Sequence, residues 1–155
     1  MYVFDTSSLR VLRNYYPQRF IRLWEHVEAA VASGLVISVR ECRRELLEQL
    51  AEKWLIDWVK RNTRIFLPPT PAETAIVARI FAVPHFQALV SEKQRLQGKA
   101  VADPFVVASA AGRGWSVVTQ ERFKPNASKI PNVCKHFDVR CTDLEGFMSE
   151  NSWTF

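Results

Sequence analysis

Four carboxylates in this chain sit in contexts where they can do chemistry. They are Asp5 in YVFDTSSL, Glu45 in SVRECRREL, Asp103 in VADPFVVASA and Glu121 in SVVTQER. Each lies where a strand hands over to a helix, or on a helix packed nearby. They are far apart in sequence, yet a parallel sheet can gather such positions into one pocket. Magnesium and manganese prefer carboxylate oxygens and keep several waters. Such ions can activate a water and stabilise the leaving oxygen in phosphodiester hydrolysis. A carboxylate cluster on an otherwise basic chain therefore points to a divalent-cation site facing a polyanion.

Each acid also has a plainer explanation. Asp5 can serve only as a helix N-cap, and Asp103 before Pro104 makes a good helix start. Glu45 lies in a charged run that can be a solvated helix face, and Glu121 beside Arg122 can be an exposed loop pair. Glu41 competes with Glu45, since residues four apart share one helical face. Ser38 and Glu41 fit a capping box, which gives Glu41 a structural role. Glu45 stands one turn deeper, directly before Leu46-Leu47, and is the preferred member of the pair. The value of the set lies in the constellation.

The elements that must position these acids follow from the apolar pattern. YVF at residues 2–4 reads as a central buried strand, and Asp5-Thr6-Ser7-Ser8 supplies N-cap residues for the helix after it. Residues 18–33 carry Phe20, Leu23, Trp24, Val27, Ala30 and Val31 at helical spacing, ending at Ser33-Gly34. Residues 35–37 form a second strand, and a helical pattern runs from 39 to about 60. Residues 65–67 form a third strand. Residues 71–97 read as one or two helices, broken near Pro84. A helix then starts with Asp103 as its cap and Pro104 at its first position, and Gly112 or Gly114 ends it. Residues 116–119 are a fourth strand, 120–136 a polar and basic loop, 137–141 the last strand, and 143–148 a short closing helix. Strands alternating with helices mean a mainly parallel sheet covered on both faces, that is, a three-layer α/β/α sandwich. Sites in such folds lie beyond the carboxyl ends of the strands, where Asp5 and the segment from Thr119 to Glu121 fall.

The bulk properties agree with a polyanionic partner. The 155 residues suffice for one folded domain with a real core. Lys and Arg number 21 against 16 Asp and Glu, a net charge of +5. A basic surface favours phosphate-rich ligands through counterion release. Three cysteines, Cys42, Cys134 and Cys141, show no metal-type spacing and leave one unpaired in any disulfide scheme, which makes the cytoplasm the expected location. No signal peptide and no membrane-length apolar run are visible. Trp24, Trp54 and Trp58 sit at helical spacing and read as packing residues, or as a groove for a partner helix. His26, His85 and His136 are given no chemistry.

FDTSSL, the Glu45-Leu46 helix, ADPFVVASA and VVTQER, taken in order, resemble the PIN-domain proteins, a fold used by many toxin ribonucleases of toxin–antitoxin pairs. IPNVCKHFDVRC and TDLEGF resemble the end of a PIN-like subfamily. The resemblance implies a Mg²⁺- or Mn²⁺-dependent endoribonuclease, with Asp5, Glu45 and Asp103 as the acids and Glu121 at a fourth position that is commonly aspartate. It also places Thr6, Ser7 and Thr119 as hydroxyls that orient water or a carboxylate. An antitoxin protein and a second copy of the chain are the implied partners, beside RNA. Basic residues expected to guide RNA are Arg10, Lys99, Arg122 and Lys124, with Arg13, Arg40, Arg43 and Arg44 as further candidates. The segment from about 84 to 99 reads as a clamp or partner-binding arm. The alternatives are a PIN-like module that binds RNA or protein without catalysis, and a phosphohydrolase acting on small phosphate esters.

Overall fold

The computed structural model describes residues 1–90 and 101–155. Its strands are β1 (Tyr2–Phe4), β2 (Val36–Val39), β3 (Phe66–Leu67), β4 (Ser116–Val118) and β5 (Cys141–Thr142). They form one sheet in the order β3-β2-β1-β4-β5, and every pairing is parallel. Strand β1 is central because all three of its residues are buried, so it exposes no edge to water. Successive strands run from β1 to one side and then resume with β4 on the other. The gap between β1 and β4 is therefore a topological switch point.

Two apolar clusters cover the two faces of the sheet. Helices α1 (Thr6–Val11), α2 (Ile21–Ala32), α4 (Lys53–Arg61) and the C-terminal α8 (Leu144–Glu150) contribute to one, with Leu9, Trp24, Trp58 and Phe147 in its centre. Helices α5 (Pro71–Ala82), α6 (Asp103–Arg113) and α7 (Ile130–His136) build the other around Ile80, Val106 and Val133. Helix α3 (Arg40–Gln49) gives Leu46 to the first cluster and Cys42 to the second. The result is the three-layer α/β/α sandwich expected from the alternating pattern. Trp24 and Trp58 are core residues, and Trp54 packs edge to face against Trp24. Among the described residues no helix is long and apolar enough to cross a membrane.

Several sequence expectations change. Ser38 does not cap α3. It lies in β2, and its hydroxyl donates to the Phe4 carbonyl at 2.7 Å, while Val39 takes the cap position without a side-chain bond. The capping box is instead at Thr70 and Glu73, where the Thr70 hydroxyl accepts from the Glu73 amide and Glu73 accepts from the Thr70 amide. The single helix read over 39–60 is two, because Leu50 turns extended at ψ 137°. Asp103 is not the cap of α6 but its first residue, since Ala102 already has helical angles. The loop read over 120–136 contains α7, started by Pro131 in its first turn, and the last strand shifts to Cys141–Thr142. Gly114, at φ 68°, ends α6 in the left-handed region that glycine tolerates best. Lys99 and most of the arm expected over 84–99 lie outside the described residues, and 84–89 is a 3-10 helix.

Glu73 does more than cap. It is buried, and its other oxygen accepts from Arg113 Nε at 3.1 Å and from the Ser109 hydroxyl at 3.3 Å, tying α5 to α6. Removing one partner of a buried ion pair strands the other. In urea titrations Glu73→Ala is expected to cost about 3 kcal/mol, against about 1 kcal/mol for Thr70→Ala, which loses only the cap. Equal effects of the two would contradict this division.

Candidate functional site

Asp5 leaves the sheet at the C-terminal end of β1, beside the end of β4. Its amide donates to the Val118 carbonyl at 3.0 Å. Its buried carboxylate accepts from three donors. The Ser8 amide reaches Oδ1 at 2.7 Å, which makes Asp5 the N-cap of α1. The Ser7 hydroxyl lies 2.9 and 2.7 Å from its two oxygens, and the Thr119 hydroxyl donates to Oδ2 at 2.7 Å. Ser7 in turn accepts from the Gln120 amide, and Thr119 from the Glu121 amide. Two hydroxyls thus link the ends of β1 and β4 through one carboxylate. Charge-assisted bonds of this kind hold a carboxylate in one orientation.

Glu45 reaches the same edge from α3. Its Oε2 accepts from the Thr6 hydroxyl at 2.5 Å, and its Oε1 accepts from the Ala102 amide at 3.1 Å. The second bond satisfies an amide at the start of α6, a group that the helix itself leaves unpaired. Asp103 is therefore relieved of the capping duty that its sequence context suggested. It is half-buried and has no hydrogen-bond partner among the described residues.

Electrostatics mark Asp103 out. Its carboxyl is raised from 3.8 to about 7, first by burial and then by the charges of Glu121, Glu45 and Asp5. The same three acids that the sequence singled out thus act on the fourth, which shows that the fold draws all of them to one region. Glu121 sits at the margin. Its Oε2 accepts from the Ile130 amide at 2.8 Å, and Lys129 Nζ is 3.9 Å from its Oε1. Glu41 lies elsewhere: it is buried at the start of α3 and paired with Arg40 at 2.8 Å, with Oε2 left unbonded. Glu41 is not among the charges that raise Asp103.

An open groove adjoins the acids, lined by Ser7, Arg10, Gln120, Glu121, Arg122, Phe123, Lys124 and Lys129. Arg10, Arg122 and Lys124 thus fall together, as their sequence positions suggested, although Arg10 also donates to Gln49. Arg13, Arg40, Arg43 and Arg44 do not line it. Sequence reading missed Lys129 and Phe123. The basic character of 120–136 was visible, but the helix that turns Lys129 back toward Glu121 was not.

The donor set is all oxygen, which suits Mg²⁺ or Mn²⁺ better than softer ions. Among the described residues, however, no three His, Cys, Asp or Glu side chains are already gathered closely enough to hold one ion. Carboxylates without a cation between them repel, and Asp5, Glu45 and Glu121 each have a neutral donor to lean toward instead. Asp103 carries the free acceptor capacity. The residues fit a hard divalent ion in charge and chemistry, with the last approach left to side-chain movement or bridging water.

The Asp103 shift has a consequence for stability in chelator. A carboxyl whose folded pKa is raised stabilises the fold below its unfolded value of 3.8, and that contribution is lost as pH rises through about 7. Between pH 4 and pH 8 the wild type is therefore expected to lose about 2 kcal/mol more than Asp103→Asn, since a half-buried carboxyl keeps part of its hydration. Urea unfolding at both pH values measures this. Parallel pH profiles for the two proteins would contradict the crowding of charge at Asp103.

A crystal structure of FitAcB from Neisseria gonorrhoeae is similar in fold, with a TM-score of 0.50 and 17% identity over 92% of this chain and 96% of that one. The sandwich is thus PIN-like, as the sequence resemblance implied. No curated protein matches the chain. A family described as a domain of unknown function (DUF4411) matches residues 2–155, and the chain belongs to that family.

Proposed function

We propose that the protein is a metal-dependent endoribonuclease of PIN-like architecture. The observation that carries this reading is the convergence of Asp5, Glu45, Asp103 and Glu121 at the switch point of the sheet, beside a groove lined by Arg10, Arg122, Lys124 and Lys129. Acids on a basic chain bring negative charge to the place where a phosphate must also come. That placement is unfavourable unless a cation sits between them.

Asp5, Glu45 and Asp103 would hold Mg²⁺ or Mn²⁺, with Glu121 at the rim. The bound ion supplies charge for the leaving oxygen and lowers the pKa of water. The chain's own residues supply the rest. Ser7 and Thr119 fix both oxygens of Asp5, and Thr6 fixes Glu45, so their remaining lone pairs keep one direction. Asp103, protonated below about pH 7, must give up its proton before it can serve as a ligand. Arg122 and Lys124 would draw the RNA backbone along the groove.

A role as a toxin, restrained by an antitoxin protein, belongs to this reading through the PIN resemblance, and so does a homodimer. Apolar surface for such contacts exists around Phe20, Ile21 and Phe155, which are 42%, 59% and 68% exposed. The alternative, a PIN-like module that binds without cleaving, keeps the acids as caps and braces only. Asp5 as N-cap of α1 and Glu121 at the start of α7 favour it to that extent.

The two readings part on metal and cleavage. Asp103→Asn and Asp5→Asn are each expected to lower Mn²⁺-dependent cleavage of RNA by at least about 100-fold, with an unchanged circular dichroism spectrum. Asn at position 5 keeps an oxygen for the Ser8 amide and so spares the cap. Undiminished cleavage by both purified variants, or no calorimetric binding of Mn²⁺ by the wild type, would overturn the nuclease reading.

A further inference from the structure

Phe123 is out of place for a loop residue that serves only the fold. It is 49% exposed, and it lies in the basic groove next to Glu121. Lys135 Nζ stands 4.8 Å from the ring centroid, a cation–π contact that covers part of the ring and holds it. The remaining exposed surface is open to the groove.

The loop that carries Phe123 is braced. Ala127 donates its amide to the Lys124 carbonyl at 3.1 Å, closing a turn in which Asn126 takes φ 61°. Asn132 Nδ2 donates to the same carbonyl at 2.7 Å and ties the turn to α7. The Ser128 hydroxyl donates to the His85 carbonyl at 2.7 Å and ties its far end to the 3-10 helix after α5. An exposed apolar ring on a fixed loop, flanked by Arg122 and Lys124, meets the two needs of an unpaired nucleic-acid strand: cations for its backbone and a flat apolar face for its bases.

We propose that Phe123 stacks on an unpaired base next to the cleavage position and is the side chain through which the groove grips a splayed strand. A base held in a duplex is stacked on both sides and cannot reach the ring, whereas a splayed base can. The inference rests on the nuclease reading for its substrate class, but its own evidence is the ring and its loop. Phe123 would be a positioning residue, acting by fixing where the strand lies relative to the acids.

The test is a fluorescence titration with a single-stranded RNA carrying 2-aminopurine, and with the same RNA fully paired, in EDTA and low salt so that nothing is cut. Wild type and Phe123→Trp are expected to quench the single strand. Phe123→Ala is expected to lose the quench and to bind the single strand about tenfold more weakly, with duplex binding unchanged. No quench by the wild type would overturn the proposal. So would Phe123→Ala with wild-type quenching and affinity, or equal losses on single strand and duplex. Cleavage with Mn²⁺ is measured separately. Stacking without cleavage would remove the nuclease reading and leave this one, and cleavage without stacking would do the reverse.

Discussion

Carboxylates gathered in one place repel one another, and burial deepens the cost because less water is left to screen them. The fold accepts that cost at the carboxyl end of its sheet. Asp5 is relieved by two hydroxyls and an amide, Glu45 by a hydroxyl and the Ala102 amide, and Glu121 by the Ile130 amide. Asp103 has no such relief among the described residues, and its carboxyl is raised to about 7 by its neighbours and its burial. A natural chain keeps a poorly compensated acid where something else compensates it in the working state. A divalent cation would do so, and the all-oxygen surroundings suit a hard one.

The other features of the site follow from this crowding. Thr6, Ser7 and Thr119 place hydroxyls just beyond the ends of β1 and β4, where each bonds to one of the acids. The bonds from Ser7 and Thr119 to Asp5 also couple β1 to β4 across the switch point. Arg10, Arg122, Lys124 and Lys129 line the groove beside the acids, Lys129 within 3.9 Å of Glu121, and would draw a polyanion toward the site.

Much of this was legible in the sequence, and the reasons differ by residue. YVF followed by Asp marks a buried strand ending in a helix cap, and the structure has both. The choice of Glu45 over Glu41 rested on depth along the helix, and Glu45 does lie with Asp5 and Asp103 while Glu41 turns to Arg40. Ser38, however, bonds to Phe4 rather than capping α3, so no capping box occupies Glu41. A serine at a strand end and a serine at a helix cap look alike in sequence, and only the neighbouring strand decides between them. Asp103 before Pro104 carries a strong local start signal, but the cap acceptor for the Ala102 amide comes from Glu45, 57 residues before Ala102, which no local pattern encodes. Helix α7 was hidden because it is only seven residues long and its second residue is a proline that also fits a loop. The Thr70–Glu73 capping box is legible as Thr-Pro-Ala-Glu, a hydroxyl cap followed three residues later by a glutamate.

The central claim is that the four acids share one divalent cation region. Anomalous diffraction from crystals soaked in Mn²⁺ tests it most directly, because it locates the ion without reference to activity. The account requires an anomalous peak within coordination distance of the Asp103 carboxylate and of Asp5 or Glu45. Well-ordered crystals at millimolar Mn²⁺ with no peak in that cleft, or with manganese held only elsewhere on the surface, would contradict it.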